Sequence, residues 1–434
     1  MIKKRKLRVA IIGGGLAGLT VAWELVKTNH DVVVFEKEAQ IGGLARSFKG
    51  KQWLWPLDQF YRHVFAKDND FTSLVKELRQ EDKLFFKKPK TSLYLESKVY
   101  PFDSPIDVLK FSQISLMSRL HLGLGTVIMK FLPYSSLYEK VTVEKLSLLV
   151  GSEAYNKIWK PLIKQKFGND WQTIPLSWFW ARIRSRTPKL RYFKKSFSEL
   201  TRVLSERIKS RGGKIKTKQN ISKVEKNSKR FYFYSNGKKF MFDKVILATP
   251  MQVSLQKFGN FLESEKCKYS AVKTMGAAVL ILELKKKFLP KNTYWLNVLE
   301  ENWPFVAVVE QTNFIDKKYY NGNPVVYLGG YYDWKNPIFK MTKIEVKKLF
   351  LPFAEKINPS LRKTLISSQF FTNLYSQPIT GLNQSKKVPQ FKTSTPGLYW
   401  ITMNHIYPWD RGMNYSVKYG KLLARQILED EKIQ

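Results

Sequence analysis

Gly13-Gly14-Gly15-Leu16-Ala17-Gly18 fits the pattern G-x-G-x-x-G and sits where that pattern has physical meaning. Before it, Leu7-Arg8-Val9-Ala10-Ile11-Ile12 reads as a short buried strand. After it, Leu16, Leu19, Val21, Ala22, Leu25 and Val26 have the apolar spacing of a helix. A second strand, Asp31-Val32-Val33-Val34-Phe35, ends on Glu36. Strand, glycine turn, helix, strand and acid together form a dinucleotide-binding fingerprint. In that reading Gly13 permits the tight turn, Gly15 leaves the backbone open to a pyrophosphate, and Gly18 lets helix and strand pack closely. The helix N-terminus, with Leu16 and Ala17 in its first turn, offers unpaired N–H groups and partial positive charge to the same pyrophosphate. Glu36, roughly 20 residues on, is placed to accept ribose hydroxyls. A glycine turn that served packing alone would leave Glu36 unexplained.

The residues after the acid, Lys37-Glu38-Ala39-Gln40-Ile41-Gly42-Gly43-Leu44-Ala45-Arg46-Ser47, resemble the extended FAD signature of amine-oxidase-like flavoproteins. That resemblance implies that Lys37, Gly42, Gly43 and Leu44 lie along the cofactor and that Arg46 brings a forked cation to its phosphates. Later segments agree. Lys244-Val245-Ile246-Leu247-Ala248-Thr249-Pro250 resembles the strand and small-residue turn that return to the flavin domain, with Ala248 and Thr249 at the turn. Gly212-Gly213-Lys214-Ile215 and Ile221-Ser222-Lys223-Val224 resemble the region whose backbone meets the adenine, Ile221 among it. Near the end, Gly397-Leu398-Tyr399-Trp400-Ile401 reads as a strand. Pro408-Trp409-Asp410-Arg411-Gly412-Met413-Asn414-Tyr415 then precedes a helix expected from about Ser416 to Leu428. This resembles the closing FAD motif, in which Asp410, Gly412, Met413 and Asn414 would meet the flavin and a helix N-terminus would stabilise negative charge on it.

The chain is therefore identified as similar to FAD-dependent oxidoreductases of the amine oxidase and protoporphyrinogen oxidase-like superfamily, which includes relatives of UDP-galactopyranose mutase. Tyr61-Arg62-His63-Val64-Phe65, Pro101-Phe102-Asp103-Ser104-Pro105, Trp159-Lys160-Pro161-Leu162, Lys166-Phe167-Gly168 and Gln311-Thr312-Asn313-Phe314 resemble a largely prokaryotic subgroup. One departure stands out: relatives end the last strand with Gly-Asp or Gly-Glu, where this chain has Thr402-Met403-Asn404-His405. Asp410 would take over part of that acid's role. The resemblance implies an α/β fold: a Rossmann-like FAD-binding domain built from separated segments (1–66, 195–255 and 385–434), with an inserted α+β substrate domain (67–194 and 256–384). The FAD would be held non-covalently.

Composition sets further bounds. The 434 residues suffice for more than one domain. One cysteine, Cys267, precludes an intrachain disulfide and argues against a cysteine metal cluster; no metal site is expected. Met1-Ile2-Lys3-Lys4-Arg5-Lys6 has the charge of a signal-peptide start, but the apolar stretch after it is the glycine-turn strand, without a cleavage site. No apolar run reaches the roughly 18–20 residues needed to span a bilayer, so the expectation is a cytoplasmic protein. The formal charge is +40, with lysines spread throughout. Scattered solvated lysines are the first reading. Peripheral contact with anionic membrane, or an anionic substrate, is the second. Nucleic acid is excluded as a partner because no nucleic-acid-binding motif accompanies the charge.

The segment 67–194 reads as mainly helical, with a helix start at Ser104-Pro105-Ile106-Asp107. Segment 256–384 mixes strands (Ala277–Leu282, Pro324–Leu328) with a helix (Ile344–Ile357). Ile114 to Leu132 carries apolar residues at helical spacing and is expected to pack in the core; a surface helix resting on a membrane is the alternative. Gly123 and Gly125 argue against one long helix there.

For chemistry, a flavin performs the hydride transfer while the protein orients the substrate and tunes the ring. No P-loop, H-E-x-x-H or nucleophile elbow is present, nor a second nucleotide fingerprint. His63, Asn313 and Arg411 are the candidate catalytic residues, and Tyr61, Trp295, Gln311 and Tyr327 the candidate substrate pocket. The resemblance implies an FAD-dependent oxidase, desaturase or dehydrogenase acting on a bulky or anionic small molecule, with oxygen, a quinone or a protein taking the electrons. A redox-neutral mutase acting on a nucleotide sugar and a non-catalytic, membrane-associated flavoprotein are the alternatives.

Overall fold

The computed structural model describes residues 6–221 and 223–433; Met1–Arg5 of the basic start, Ser222 of the adenine segment and Gln434 lie outside them. The chain opens with β1 (Arg8–Ile12), α1 (Leu16–Lys27) and β2 (Asp31–Phe35). It continues through α2 (Asn69–Glu77) and the antiparallel pair β3 (Lys90–Leu95) and β4 (Lys98–Pro101). A helical stretch follows: α3 (Pro105–Lys110), α4 (Leu116–Phe131), α5 (Leu146–Val150), α6 (Lys160–Phe167) and α7 (Leu176–Ser185). Then α8 (Phe197–Ser210) leads to β5 (Lys214–Lys216). An antiparallel meander of β6 (Lys223–Asn227), β7 (Arg230–Ser235) and β8 (Lys238–Phe242) precedes β9 (Lys244–Leu247). Next come β10 (Thr274–Leu284), β11 (Thr293–Val298), β12 (Ala307–Glu310), β13 (Val325–Asp333), α9 (Lys343–Ile357) and β14 (Leu365–Pro378). The last elements are β15 (Leu398–Trp400) and α10 (Met413–Ile433).

Two sheets carry the architecture. The first has five strands in the order β5-β2-β1-β9-β15, every neighbouring pair parallel. Both faces are covered, which is why its central strands are almost wholly apolar: β9 is buried along its whole length and β1 and β2 beyond their first residues. α1 and α10 pack against each other so closely that a Cβ on Gly420 would come within 2.8 Å of Thr20 Cβ. Ile12 and Leu247 pair in register. The glycine turn after β1 and the Ala248-Thr249 turn after β9 therefore leave the sheet at the same carboxyl edge, where open parallel sheets bind ligands.

The second sheet has seven strands, β14-β10-β13-β12-β11-β3-β4, antiparallel except for the parallel β3–β11 pair. It unites strands from the first and second intervening stretches. The strands and helix read at Ala277–Leu282, Pro324–Leu328 and Ile344–Ile357 are present and extended. The start of α9 is fixed by a capping box between Thr342 and Glu345, and that of α3 by one between Ser104 and Asp107. The closing helix begins at Met413, three residues before the expected Ser416.

The segment Ile114–Leu132 departs from expectation. It forms one uninterrupted helix, α4, despite its glycines. Gly125 is required by packing, because a Cβ there would lie 1.8 Å from the Leu149 carbonyl oxygen of α5. Nor is its apolar stripe in the core. Leu122, Gly125 and Met129 are buried, whereas Leu116, Leu120, Leu124, Val127, Ile128 and Phe131 are exposed. The helix has apolar residues on two sides, and one narrow side suffices to seat it on α5 and α7.

Candidate functional site

The glycine turn is stitched from main chain. Gly13 has φ +114°, its N–H donates to the Phe35 carbonyl at 2.8 Å, and a Cβ there would lie 2.4 Å from the Ala248 carbonyl oxygen. A Cβ on Gly18 would lie 2.2 Å from the Gly13 carbonyl oxygen. Gly15 differs: it is the N-cap of α1, has φ −72°, and a Cβ on it would meet nothing within 4 Å. Gly13 and Gly18 thus answer to the protein's own packing, while Gly15 faces open space in front of a helix N-terminus that no side chain caps. Leu16 is buried and Ala17 half-buried behind it.

Glu36, at the end of β2, is buried. Its Oε2 accepts from the Gly14 N–H at 2.8 Å and its Oε1 from the Glu38 N–H at 3.0 Å. The carboxylate is thereby locked beside the turn with further lone pairs for two hydroxyls. The second glycine pair backs the first: the Gly42 N–H donates to the Gly14 carbonyl at 2.8 Å, and a Cβ on Gly43 would lie 3.3 Å from Gly15 Cα. Leu44 is half-buried, and its carbonyl accepts from the Arg62 guanidinium. Arg46 is half-buried, bonded to the Gly43 carbonyl at 3.2 Å and paired with Glu38 at 3.2 Å. Lys37 is exposed, its ammonium 3.5 Å from Glu38. Ile221 is buried in the same cluster as Val33 and Phe35. Ala248 and Thr249 act as the floor of the turn; the Ala248 N–H donates to the Ile12 carbonyl at 2.8 Å, and the Thr249 hydroxyl is engaged with that of Ser254 at 2.8 Å.

These residues fit the FAD that the sequence pattern implies. The observation is the open space at Gly15, bordered by an uncapped helix end and a fixed buried carboxylate. Gly13–Gly18, Gly42–Arg46 and Glu36 would hold the diphosphate and ribose.

A second cluster lies around the loop before α10. Asp410 accepts from Arg182 of α7 at 2.9 Å and from Gln377 of β14 at 3.1 Å, and lies 3.5 Å from the Lys166 ammonium of α6. Burial alone would raise its carboxyl; the charges of Lys166, Arg182 and Arg411 outweigh that and hold it well below the usual range. Burial pushes the Lys166 ammonium well down, further than Asp410 can offset, with Arg182 and Arg411 adding to the effect. Lys166 also sits over the Trp178 ring at 4.8 Å. Arg411 donates to Gln377 at 2.9 Å and to the Tyr331 hydroxyl at 2.7 Å. Two guanidiniums, Arg182 and Arg411, and the burial-depressed amine of Lys166 thus surround one carboxylate, leaving positive potential for an anionic guest.

An aromatic wall adjoins this cluster. Tyr61 meets Trp295 edge-on at 5.0 Å and Tyr327 at 5.9 Å. Its seat is cut by Gly329 of β13, where a Cβ would lie 2.3 Å from the Tyr61 ring. Tyr61 interacts with Tyr331 and, electrostatically, with Arg411. His63 packs on Trp295 at 5.9 Å and Phe65 at 5.3 Å, and its buried Nδ1 has no hydrogen-bond partner. Burial, then Arg186 and Arg182, push its imidazole down to about 3. His63 is therefore the neutral imidazole near pH 7, with one ring nitrogen a donor and the other an acceptor. Tyr327 is fully buried, its hydroxyl donating to the Asp58 carbonyl at 2.7 Å.

The fold thus brings Tyr61, His63, Trp295, Tyr327 and Arg411 together. Asn313 and Gln311 fall elsewhere. The Asn313 amide donates to the Thr293 carbonyl at 2.7 Å, bracing the start of β11, and Gln311 is buried in the turn after β12. Asn414, expected at the cofactor, accepts from the Phe71 N–H at 3.0 Å and holds α2. Gly412 is exposed and Met413 buried at the start of α10. Arg182, Gln377 and Tyr331 are not candidate site residues in the sequence, and Lys166 stands out there only within the Lys166-Phe167-Gly168 stretch. The available signal was a charged residue inside an apolar helical run, as Arg182 is after Trp178-Phe179-Trp180-Ala181.

Residues 16–428 match the family model described as flavin containing amine oxidoreductase. A mitochondrial protoporphyrinogen oxidase of Nicotiana tabacum is 30% identical over 126 residues, which cover 28% of this chain and 25% of that protein. A 15-cis-phytoene desaturase of an Oncidium hybrid cultivar is 23% identical over 354 residues, 74% of this chain and 59% of that protein. The chain thus spans less than two thirds of either relative. The solved structure of reduced UDP-galactopyranose mutase superposes with a TM-score of 0.75 at 15% identity, covering 98% of this chain and 96% of that one, a likeness of fold.

Proposed function

The chain belongs to the flavin containing amine oxidoreductases and its cofactor is FAD, and from that premise we propose that it is an oxidase, desaturase or dehydrogenase acting on a bulky small molecule that carries negative charge. The observation that supports this reading is the convergence of Lys166, Arg182 and Arg411 on the single carboxylate of Asp410, next to the aromatic wall of Tyr61, Trp295 and Tyr327. FAD, when bound, supplies the hydride acceptor. The chain's own residues do the rest. The turn at Gly15 and the carboxylate of Glu36 anchor the cofactor's diphosphate and ribose. The N-terminus of α10 and the Arg411 guanidinium would favour negative charge on the bound cofactor. The aromatic rings orient an apolar body and exclude water from it.

The test is anaerobic incubation of the FAD-loaded protein with amines, porphyrinogens and polyenes. Loss of the flavin band near ~450 nm with one class, and its return on adding oxygen or a quinone, supports the reading and identifies the acceptor. The positive cluster also suits a sugar diphosphate, which motivates a second, redox-neutral reading resembling the mutase. Turnover of a nucleotide sugar only after dithionite treatment, with no bleaching by any reductant substrate, would replace the first reading with the second.

A further inference from the structure

We propose that the exposed apolar side of α4 is the surface by which this protein rests on an anionic phospholipid bilayer. Leu116, Leu120, Leu124, Val127 and Phe131 recur at helical spacing along α4 and are between 51% and 75% exposed. Ile106 and Leu109 of α3 and Leu148 of α5, the helices that pack against α4, are exposed as well. A soluble surface scatters such residues singly; a contiguous stripe marks an interaction site. The opposite side of α4 is already used, since Leu122, Gly125 and Met129 are buried.

Charge selects the occupant. α4 contains no aspartate or glutamate. Its cations are tied to main chain: Arg119 donates to the Leu109 carbonyl at 2.8 Å and Lys130 to the Ile183 carbonyl at 2.9 Å. Around it Lys110, Lys140 and Lys145 are exposed, set against exposed Glu144 and half-buried Glu153, the latter held by the Ser115 and Ser118 hydroxyls at the start of α4. An apolar stripe with a basic rim is the pattern of a helix lying in a lipid interface. The +40 charge of the chain draws the whole body to an anionic leaflet, and it opposes a second copy as the occupant because like-charged bodies repel. No helix among the described residues is long and apolar enough to cross a membrane, so the mode is resting, not spanning. α4 packs on α7, whose Arg182 reaches Asp410, so one helix separates the lipid face from the candidate site.

Flotation of the FAD-loaded protein with vesicles tests this independently of any turnover. With phosphatidylcholine vesicles containing about 30% phosphatidylserine, the protein floats at low salt, several-fold more than with phosphatidylcholine alone, and binding falls as salt rises. Leu120→Ser/Leu124→Ser/Phe131→Ser lowers partitioning more than about tenfold, and Phe131→Ala alone about threefold, both with unchanged flavin absorbance and melting temperature. Four results overturn the proposal. They are wild-type protein absent from both vesicle fractions, equal salt-insensitive binding to both, a triple variant that floats like wild type, or a solution dimer that the triple variant makes monomeric.

Discussion

Arg182 and Asp410 stand 228 residues apart in the chain and 2.9 Å apart in space. The bond joins α7, from the first intervening stretch, to the loop before α10, and Gln377 of β14 adds a third element at 3.1 Å. Asp410 is the counter-ion for Lys166 and Arg411 as well, so its removal leaves two half-buried guanidiniums and the buried Lys166 amine facing one another without a counter-charge. Asp410→Asn is expected to destabilise the cofactor-free protein by about 3–5 kcal/mol. Adding Lys166→Met is expected to restore part of that loss. Urea denaturation of the single and double variants, arranged as a double-mutant cycle, measures both. Because the folded-state carboxyl is depressed, its contribution is present above the ordinary aspartate value of about 4 and disappears as pH falls below it. An additive cycle would remove Asp410 from its place at the centre of the cluster.

The glycine motif separates into two kinds of residue. Gly15→Val places its new side chain in open space at φ −72°, a conformation valine accepts. Cofactor-free stability should change by less than about 0.5 kcal/mol, while FAD affinity falls at least about a hundredfold, close to 3 kcal/mol. Gly18→Ala meets the Gly13 carbonyl oxygen at 2.2 Å and should cost about 1–3 kcal/mol before any FAD is added. Melting curves of the stripped proteins and flavin titration distinguish the two; equal behaviour of both variants would contradict the assignment.

α4 offers a similar contrast on its own length. Gly123 has room for a methyl group, with nothing within 4 Å, whereas Gly125 abuts the Leu149 carbonyl oxygen at 1.8 Å. Gly123→Ala is expected to stabilise by up to about 1 kcal/mol through helix propensity. Gly125→Ala should destabilise by about 1–3 kcal/mol by prying α4 from α5. Thermal melts of both variants check the signs.

Asp58 gives a pH dependence of the opposite sign to Asp410. Burial raises its carboxyl to about 6, against the lowering effects of Arg62, the Tyr192 hydroxyl and the Phe197 N–H. An unfolded aspartate titrates near 3.9. Between these values the folded state holds the extra proton, so stability falls as pH rises from about 4 to about 6, by roughly 2–3 kcal/mol. Asp58→Asn, which cannot ionise, should flatten that stretch of the stability curve. Chemical denaturation at half-unit pH steps is the measurement, and a wild-type curve already flat there would refute the assignment.

What the sequence determined on its own was the cradle. Gly13, Gly15, Gly18 and Glu36 lie within one β-α-β unit, where sterics and helix-end electrostatics act over a few residues, so their spacing is read without knowing the rest of the fold. The strands at Ala277–Leu282 and Pro324–Leu328 and the helix start at Ser104–Asp107 were legible for the same reason; the Thr342–Glu345 capping box emerged only in the structure. The tertiary structure alone decided which distant charges meet. Nothing local to Lys166, Arg182 or Gln377 announces Asp410, because a buried ion cluster is assembled by packing across the fold. It also decided which side of α4 faces inward: periodicity shows that a helix has apolar stripes, but only the placement of α5 and α7 selects the one that is covered.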